Sequence, residues 1–153
     1  MRGPSGERVI PAADWFEGYL TTSRHPDELL VQVRFPTAGR GTGVSFQEVA
    51  RRHGDFAVVG LAASLTLSDG AISDARLAFA GISDVPVRAA GAEDLLVGER
   101  PSGELFDEAA RRATEDIDPP ADLHGSSDYR KKVAAALVRR GLRAAADSAG
   151  ERQ

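Results

Sequence analysis

Residues 56–82 read FAVVGLAASLTLSDGAISDARLAFAGI, and this stretch decides the fold. Apolar side chains alternate along its first half, with Val59, Leu61, Ala63, Leu65 and Leu67 on one face. Ala75, Leu77 and Phe79 repeat the pattern on the return. Alternation with period two marks a strand with one buried face. Between the halves stands Asp69-Gly70, a pair suited to a type I′ turn, in which both central residues need positive φ. An antiparallel hairpin with strands over 56–67 and 71–82 is predicted.

Working outward, the C-terminal side reads as helical. Residues 93–97 predict a brief helix stopped at Gly98, and 104–117 carry Leu105, Phe106, Ala109, Ala110, Ala113 and Ile117 at helical spacing before Pro119-Pro120. Residues 126–146 predict a last helix with Tyr129, Val133, Ala136, Leu137 and Ala144 on one face. On the N-terminal side, Ser45 and Glu48 have the spacing of a capping box, which predicts a short helix from Ser45 to about His53-Gly54. Leu29, Leu30, Val31, Val33 and Phe35, with Gln32 and Arg34 interleaved, predict a strand closed by Pro36. Thr37 to Gly43 reads as a glycine-rich loop, Asp14 as the cap of a single helical turn, and the first ten residues as an irregular lead-in. The order strand, helix, β-hairpin, helices predicts an α+β domain: a three-stranded, mainly antiparallel sheet packed with the C-terminal helices.

A chain of 153 residues, 42% apolar, is long enough for one domain with a sizeable core. It has no cysteine, which excludes disulfides, thiol catalysis and any Cys-held zinc or iron–sulfur cluster. A net charge of −4 argues against a nucleic-acid partner. No apolar run approaches the ~20 residues of a membrane span, and the N-terminus lacks a signal-peptide core, so a cytoplasmic location is expected.

Motifs are sparse. Gly39, Gly41 and Gly43 lack the G-x-G-x-x-G spacing of a dinucleotide fingerprint. There is no G-x-S-x-G, H-E-x-x-H or Walker sequence, and His25, His53 and His124 are too scattered to read as a metal set. The cluster Arg51-Arg52-His53-Gly54-Asp55 gathers cations and a carboxylate at a predicted helix-to-strand turn. Such a cluster suits either a ligand contact or compensation of a helix dipole. Arg130, Lys131, Lys132, Arg139, Arg140 and Arg143 stud the last helix, as a docking stripe for an acidic partner or as a solvated face. Asp116, Asp118 and Asp122 flank the proline pair as turn residues. No self-sufficient catalytic set emerges, which disfavours an independent hydrolase.

Three stretches resemble one family in order and spacing. Residues 15–36, WFEGYLTTSRHPDELLVQVRFP, resemble the segment linking the two domains of molybdenum-hydroxylase flavin subunits, the FAD-carrying parts of xanthine dehydrogenase and aerobic carbon monoxide dehydrogenase. Residues 45–63, SFQEVARRHGDFAVVGLAA, are similar to the helix, turn and strand that follow, and 125–142, GSSDYRKKVAAALVRRGL, to the closing helix. The resemblance implies a lead-in and linker over 1–26 from an absent FAD-binding half, a CO dehydrogenase flavoprotein C-terminal-like domain over 27–147, and a disordered tail over 148–153. It implies FAD shared with that half, which a separate chain could supply. It places 2Fe-2S clusters and molybdopterin only on partner subunits, the iron–sulfur and molybdenum subunits of one complex. Electrons would pass from the clusters through FAD to an acceptor, and this chain alone would not be active.

Residue by residue, Leu29 matches a family leucine packed near the cofactor, and Gln47 falls where some members place a lysine that reaches FAD. The turn Arg51, Arg52, His53, Gly54 and Asp55 matches the loop beside the isoalloxazine ring. Cations there would raise the flavin potential. Gly54 stands where some members carry an acidic residue, and Leu20 where an arginine often follows the Gly-Tyr pair. The rival reading is a non-catalytic interaction module or a truncated orphan domain without flavin binding.

Overall fold

The computed structural model describes residues 1–52, 54–115 and 117–151, and the chain divides into two units, Met1–Thr37 and Ala38–Gln153. The division falls ten residues or so beyond the boundary expected near residue 27, because the stretch read as the domain's first strand belongs to the first unit.

That unit is built from short pieces. Arg2–Gly3 (β1) pairs antiparallel with Gly6–Glu7 (β2), and Phe16–Gly18 (β3) with Thr21–Thr22 (β4). Asp14 ends a 3-10 turn over Ala12–Asp14 rather than capping it. Glu28 anchors the unit. Its carboxylate accepts from Arg8 Nε at 2.6 Å and Nη2 at 2.7 Å, and from the His25 amide at 2.8 Å. These donors, Arg8 first, hold its pKa down to about 2.

The strand expected over 29–35 is not formed. Leu29 makes one antiparallel bridge to Arg2, and the following residues run extended and exposed with no neighbouring strand among the described residues. Alternation specifies an extended backbone, but a strand also needs a partner edge, and none is present.

The second unit realises the hairpin. Asp69 (φ 52°) and Gly70 (φ 76°) both adopt left-handed backbone, so the chain reverses in two residues. Thr42–Ala50 (β5), Ala57–Ser68 (β6), Ala71–Ala80 (β7) and Val87–Arg88 (β8) form an antiparallel sheet in that order, β6 and β7 being the predicted pair. The sheet thus has four strands where three were expected.

β5 occupies the place of the predicted helix, and the capping box at Ser45 and Glu48 does not form. The segment alternates instead: Ser45, Gln47 and Val49 are half-buried, while Val44, Phe46 and Glu48 are exposed. Pairing with β6 runs from Thr42↔Thr66 to Ala50↔Ala57, and that ladder outweighs a local cap contributing about 1 kcal/mol. The predicted glycine loop accordingly stops at Gly41, and Gly43 lies inside the strand. A Cβ on Gly43 would overlap the Ala145 carbonyl and Ala149 amide, so its bare backbone is what lets the last helix lie close.

Three helices follow: Ala90–Leu96 (α1), Gly103–Glu115 (α2) and Ser127–Gly150 (α3). Ser126 caps α3, its Oγ accepting from the Tyr129 amide at 3.2 Å. α3 packs on β5 and β6, α1 on β7, and α2 on both helices. Leu61, Leu65, Leu77 and Phe79 from the sheet meet Leu96, Leu137, Val138 and Leu142 in one core. The buried face of α3 is rotated from the one expected. Arg130, Ala134, Leu137, Val138, Gly141, Leu142, Ala145 and Ala149 are buried, whereas Tyr129 is exposed and Val133, Ala136 and Ala144 are half-buried. α3 also runs through 148–150, where a disordered tail was expected, because Ala149 is fully buried; residues 152–153 lie outside the described residues.

Candidate functional site

Helices cover one face of the sheet and leave the other open. On that open face Phe46 is 66% exposed, and it joins Val44, Ala62 and Ala78 in lining a shallow groove of about 450 Å³ flanked by Arg76 and Arg88. Both arginines are already engaged, Arg76 with Asp74 at 3.0 Å and Arg88 with Glu93 at 2.6 Å. The groove is thus an apolar strip between neutralised cations.

The cationic cluster singled out in the sequence lies at one end of this sheet, in the turn joining β5 to β6. Its register shifts between Val49 and Ala50, and Gly54 (φ 81°) supplies the left-handed step that reverses the chain. The Asp55 amide donates to the Arg52 carbonyl at 3.2 Å, and the Asp55 carboxylate accepts from the Phe56 amide at 2.9 Å. Asp55 therefore shapes the turn. Phe56 is 95% exposed, and Arg52 is exposed without a partner among the described residues. His53 lies outside the described residues.

Arg51 is fixed from a distant part of the chain. Its Nη1 lies 2.9 Å from His124 Nδ1. A guanidinium only donates, so Nδ1 is the acceptor and this imidazole carries its proton on Nε2. His124 is set by Asp122, whose Oδ1 accepts from the His124 and Gly125 amides at 2.8 and 3.1 Å. Asp122 Oδ2 accepts from Arg130 Nη2 at 2.7 Å. The amide of His124, then Arg130, hold the Asp122 pKa below the usual range. Arg130 is buried and donates to the carbonyls of Val58 and Gly81, tying α3 to the ends of β6 and β7. A chain of contacts thus runs from the core through Arg130, Asp122 and His124 to Arg51.

Of the residues singled out by sequence, Arg51, Arg52, Gly54 and Asp55 are brought together in this turn. Gln47 is on the helix-facing side of β5, its Nε2 donating to Ser45 Oγ at 3.1 Å. Leu29 lies in the other unit, with an exposed side chain. The residues the sequence did not single out for this site are Phe56, Asp122, His124 and Arg130. Asp122 and Arg130 were read as turn and stripe residues, and no local pattern announces a contact spanning residues 51 and 124. The stripe itself is broken, since Arg130 is buried, Lys131 lies 3.8 Å from Asp118 and Arg139 3.6 Å from Asp107.

The arrangement suits one wall of a ligand site: a fixed cation, a free cation and an exposed ring. It does not suit a pyrophosphate cradle. The Tyr129 amide in the first turn of α3 is already taken by Ser126, and the Gly41 carbonyl accepts from the Leu67 amide at 2.9 Å, closing the glycine loop onto β6. Among the described residues no group of acidic or histidine side chains could hold a metal ion, and no helix is long and apolar enough to cross a membrane.

Comparison with known proteins decides the relationship. Residues 44–145 match the family model of the CO dehydrogenase flavoprotein C-terminal domain. The chain belongs to this family. The carbon monoxide dehydrogenase medium chain of Hydrogenophaga pseudoflava is 32% identical over 95% of this chain and 50% of its own length. The caffeine dehydrogenase subunit beta of Pseudomonas sp. (strain CBB1) is 36% identical over 93% of this chain and 48% of its own. Among solved structures, a chain of quinoline 2-oxidoreductase from Pseudomonas putida 86 superposes with a TM-score of 0.90 at 34% identity, covering 97% of this chain and 51% of that one. This member of the flavoprotein C-terminal domain family therefore spans about half the length of the relatives it matches.

Proposed function

We propose that this chain is the C-terminal part of a molybdenum-hydroxylase flavin subunit, forming one wall of an FAD site whose pyrophosphate contacts come from the other half of the subunit. The observation that carries the reading is the β5–β6 turn, where Arg51 is held by His124 and Arg52 and Phe56 are left free. FAD, when bound, would supply the acceptance and onward transfer of electrons. This chain's residues would set its surroundings. A guanidinium fixed before the ligand arrives favours negative charge beside it without a cost of reorganisation. Asp55 and Gly54 hold the turn's shape, and Phe56 offers an apolar surface that excludes water. Gln47, from the helix-facing side of β5, supports the strand that carries the turn. The iron–sulfur and molybdenum subunits are the proposed partners, delivering electrons from 2Fe-2S clusters.

The rival reading as an interaction module keeps Lys132, Arg140 and Arg143 as exposed cations on α3, and loses Arg130, which is buried. To test the proposal, the tagged chain is purified from its host and its visible spectrum and metal content are recorded. Flavin and cluster absorbance with molybdenum is the expected result. A colourless, metal-free product would overturn it.

A further inference from the structure

Among the described residues, 29–36 combine the alternation of a strand with full exposure. Leu29, Val31, Val33 and Phe35 fall on one side of an extended run and Leu30, Gln32, Arg34 and Pro36 on the other, which is the pattern of a strand with one buried face. Yet every one of these residues is exposed, Val33 at 58% and Phe35 at 84%. From Leu30 to Pro36 no backbone group has a hydrogen-bond partner among the described residues. Both strand edges and the apolar face are therefore open at once.

We infer that residues 30–35 are a β-strand of a sheet whose other strands lie outside this sequence, in the polypeptide that supplies the other half of the flavin subunit. Length and placement point to that occupant. The chain spans half of its relatives, and the open strand lies in Met1–Thr37, the unit outside the 44–145 family match. Strand addition satisfies the unpaired amides and carbonyls through main-chain bonds, while the row Leu29, Val31, Val33 and Phe35 fixes register by burying one face. The inference rests on the proposed function and assigns Leu29 a packing place in that sheet.

The test co-produces this chain with the unmatched half of the Hydrogenophaga pseudoflava medium chain and follows amide hydrogen exchange. In the chain alone, amides 31–35 should exchange freely, and in the complex they should slow at least 100-fold. Gln32→Pro and Val33→Pro remove donors on opposite edges, so at least one should weaken the complex tenfold or more. Neither should change the denaturation midpoint of the isolated chain. A complex in which 31–35 still exchange freely would overturn the inference and leave the proposed function standing. Failure to form any complex would overturn both. Protection of 31–35 in the isolated chain with dimer formation would overturn the inference in favour of a second copy.

Discussion

The β6–β7 hairpin and the run 29–36 have the same kind of sequence and opposite fates. Each alternates apolar and polar residues, yet Leu61 and Leu77 are fully buried whereas Val33 and Phe35 stand in solvent. The hairpin carries its own partner two residues away, across Asp69-Gly70. The run has none. Alternation encodes which face wants to be buried, and the turn chemistry of neighbouring residues decides whether the chain can bury it unaided.

Side-chain truncation in both regions should have opposite consequences. Leu61→Ala or Phe79→Ala should cost the isolated chain about 3–5 kcal/mol, measured by chemical denaturation. Val33→Ala and Phe35→Ala should stay within about 0.5 kcal/mol. Comparable losses at both sites would mean that 29–36 is packed after all.

Next in size, Gly43→Ala tests the close approach of α3 to β5. The added methyl has no space against the helix backbone, so a loss of about 3 kcal/mol is expected from a thermal melt. A similar loss, about 3 kcal/mol, should follow Arg130→Met, which strands the Val58 and Gly81 carbonyls and the Asp122 carboxylate. If Arg130 also positions the site, the Arg51 side-chain resonances should shift in that variant, and Asp122→Asn should shift them with a smaller loss of stability.

The smallest effect concerns the first unit alone. Glu28 titrates at about 2 when held by Arg8 and His25, below its ordinary value of 4.5. Its contribution is therefore complete above about 4.5 and is lost as pH falls from there towards about 2. Exchange of the Arg2 and Leu29 amides, each of which donates to the other residue's carbonyl, should accelerate across that window. Glu28→Gln should remove the pH dependence.

These contrasts show how far the fold could be read in advance. The hairpin and α2 were legible because their signals are local: positive-φ turn residues and apolar spacing. β5 was not, since SFQEVA satisfies a capping box as written and becomes a strand only through nine residues of pairing with β6. The turn 51–55 was found from its charge, but its electrostatic setting was hidden. His124 reaches it, backed by Arg130 through Asp122, only after the sheet and α3 are assembled, and a buried arginine at the head of a basic run looks in sequence like any solvated one.

On the proposed function, the Arg51–Phe56 turn closes one side of a flavin site. FAD affinity of the co-produced halves, measured by flavin fluorescence with and without this chain, tests it most directly. Binding should be at least tenfold tighter with the chain present, a gain of about 1.4 kcal/mol, and the gain should be lost in the Arg51→Ala, Arg52→Ala double variant. Equal affinity in the presence and absence of the chain would contradict it.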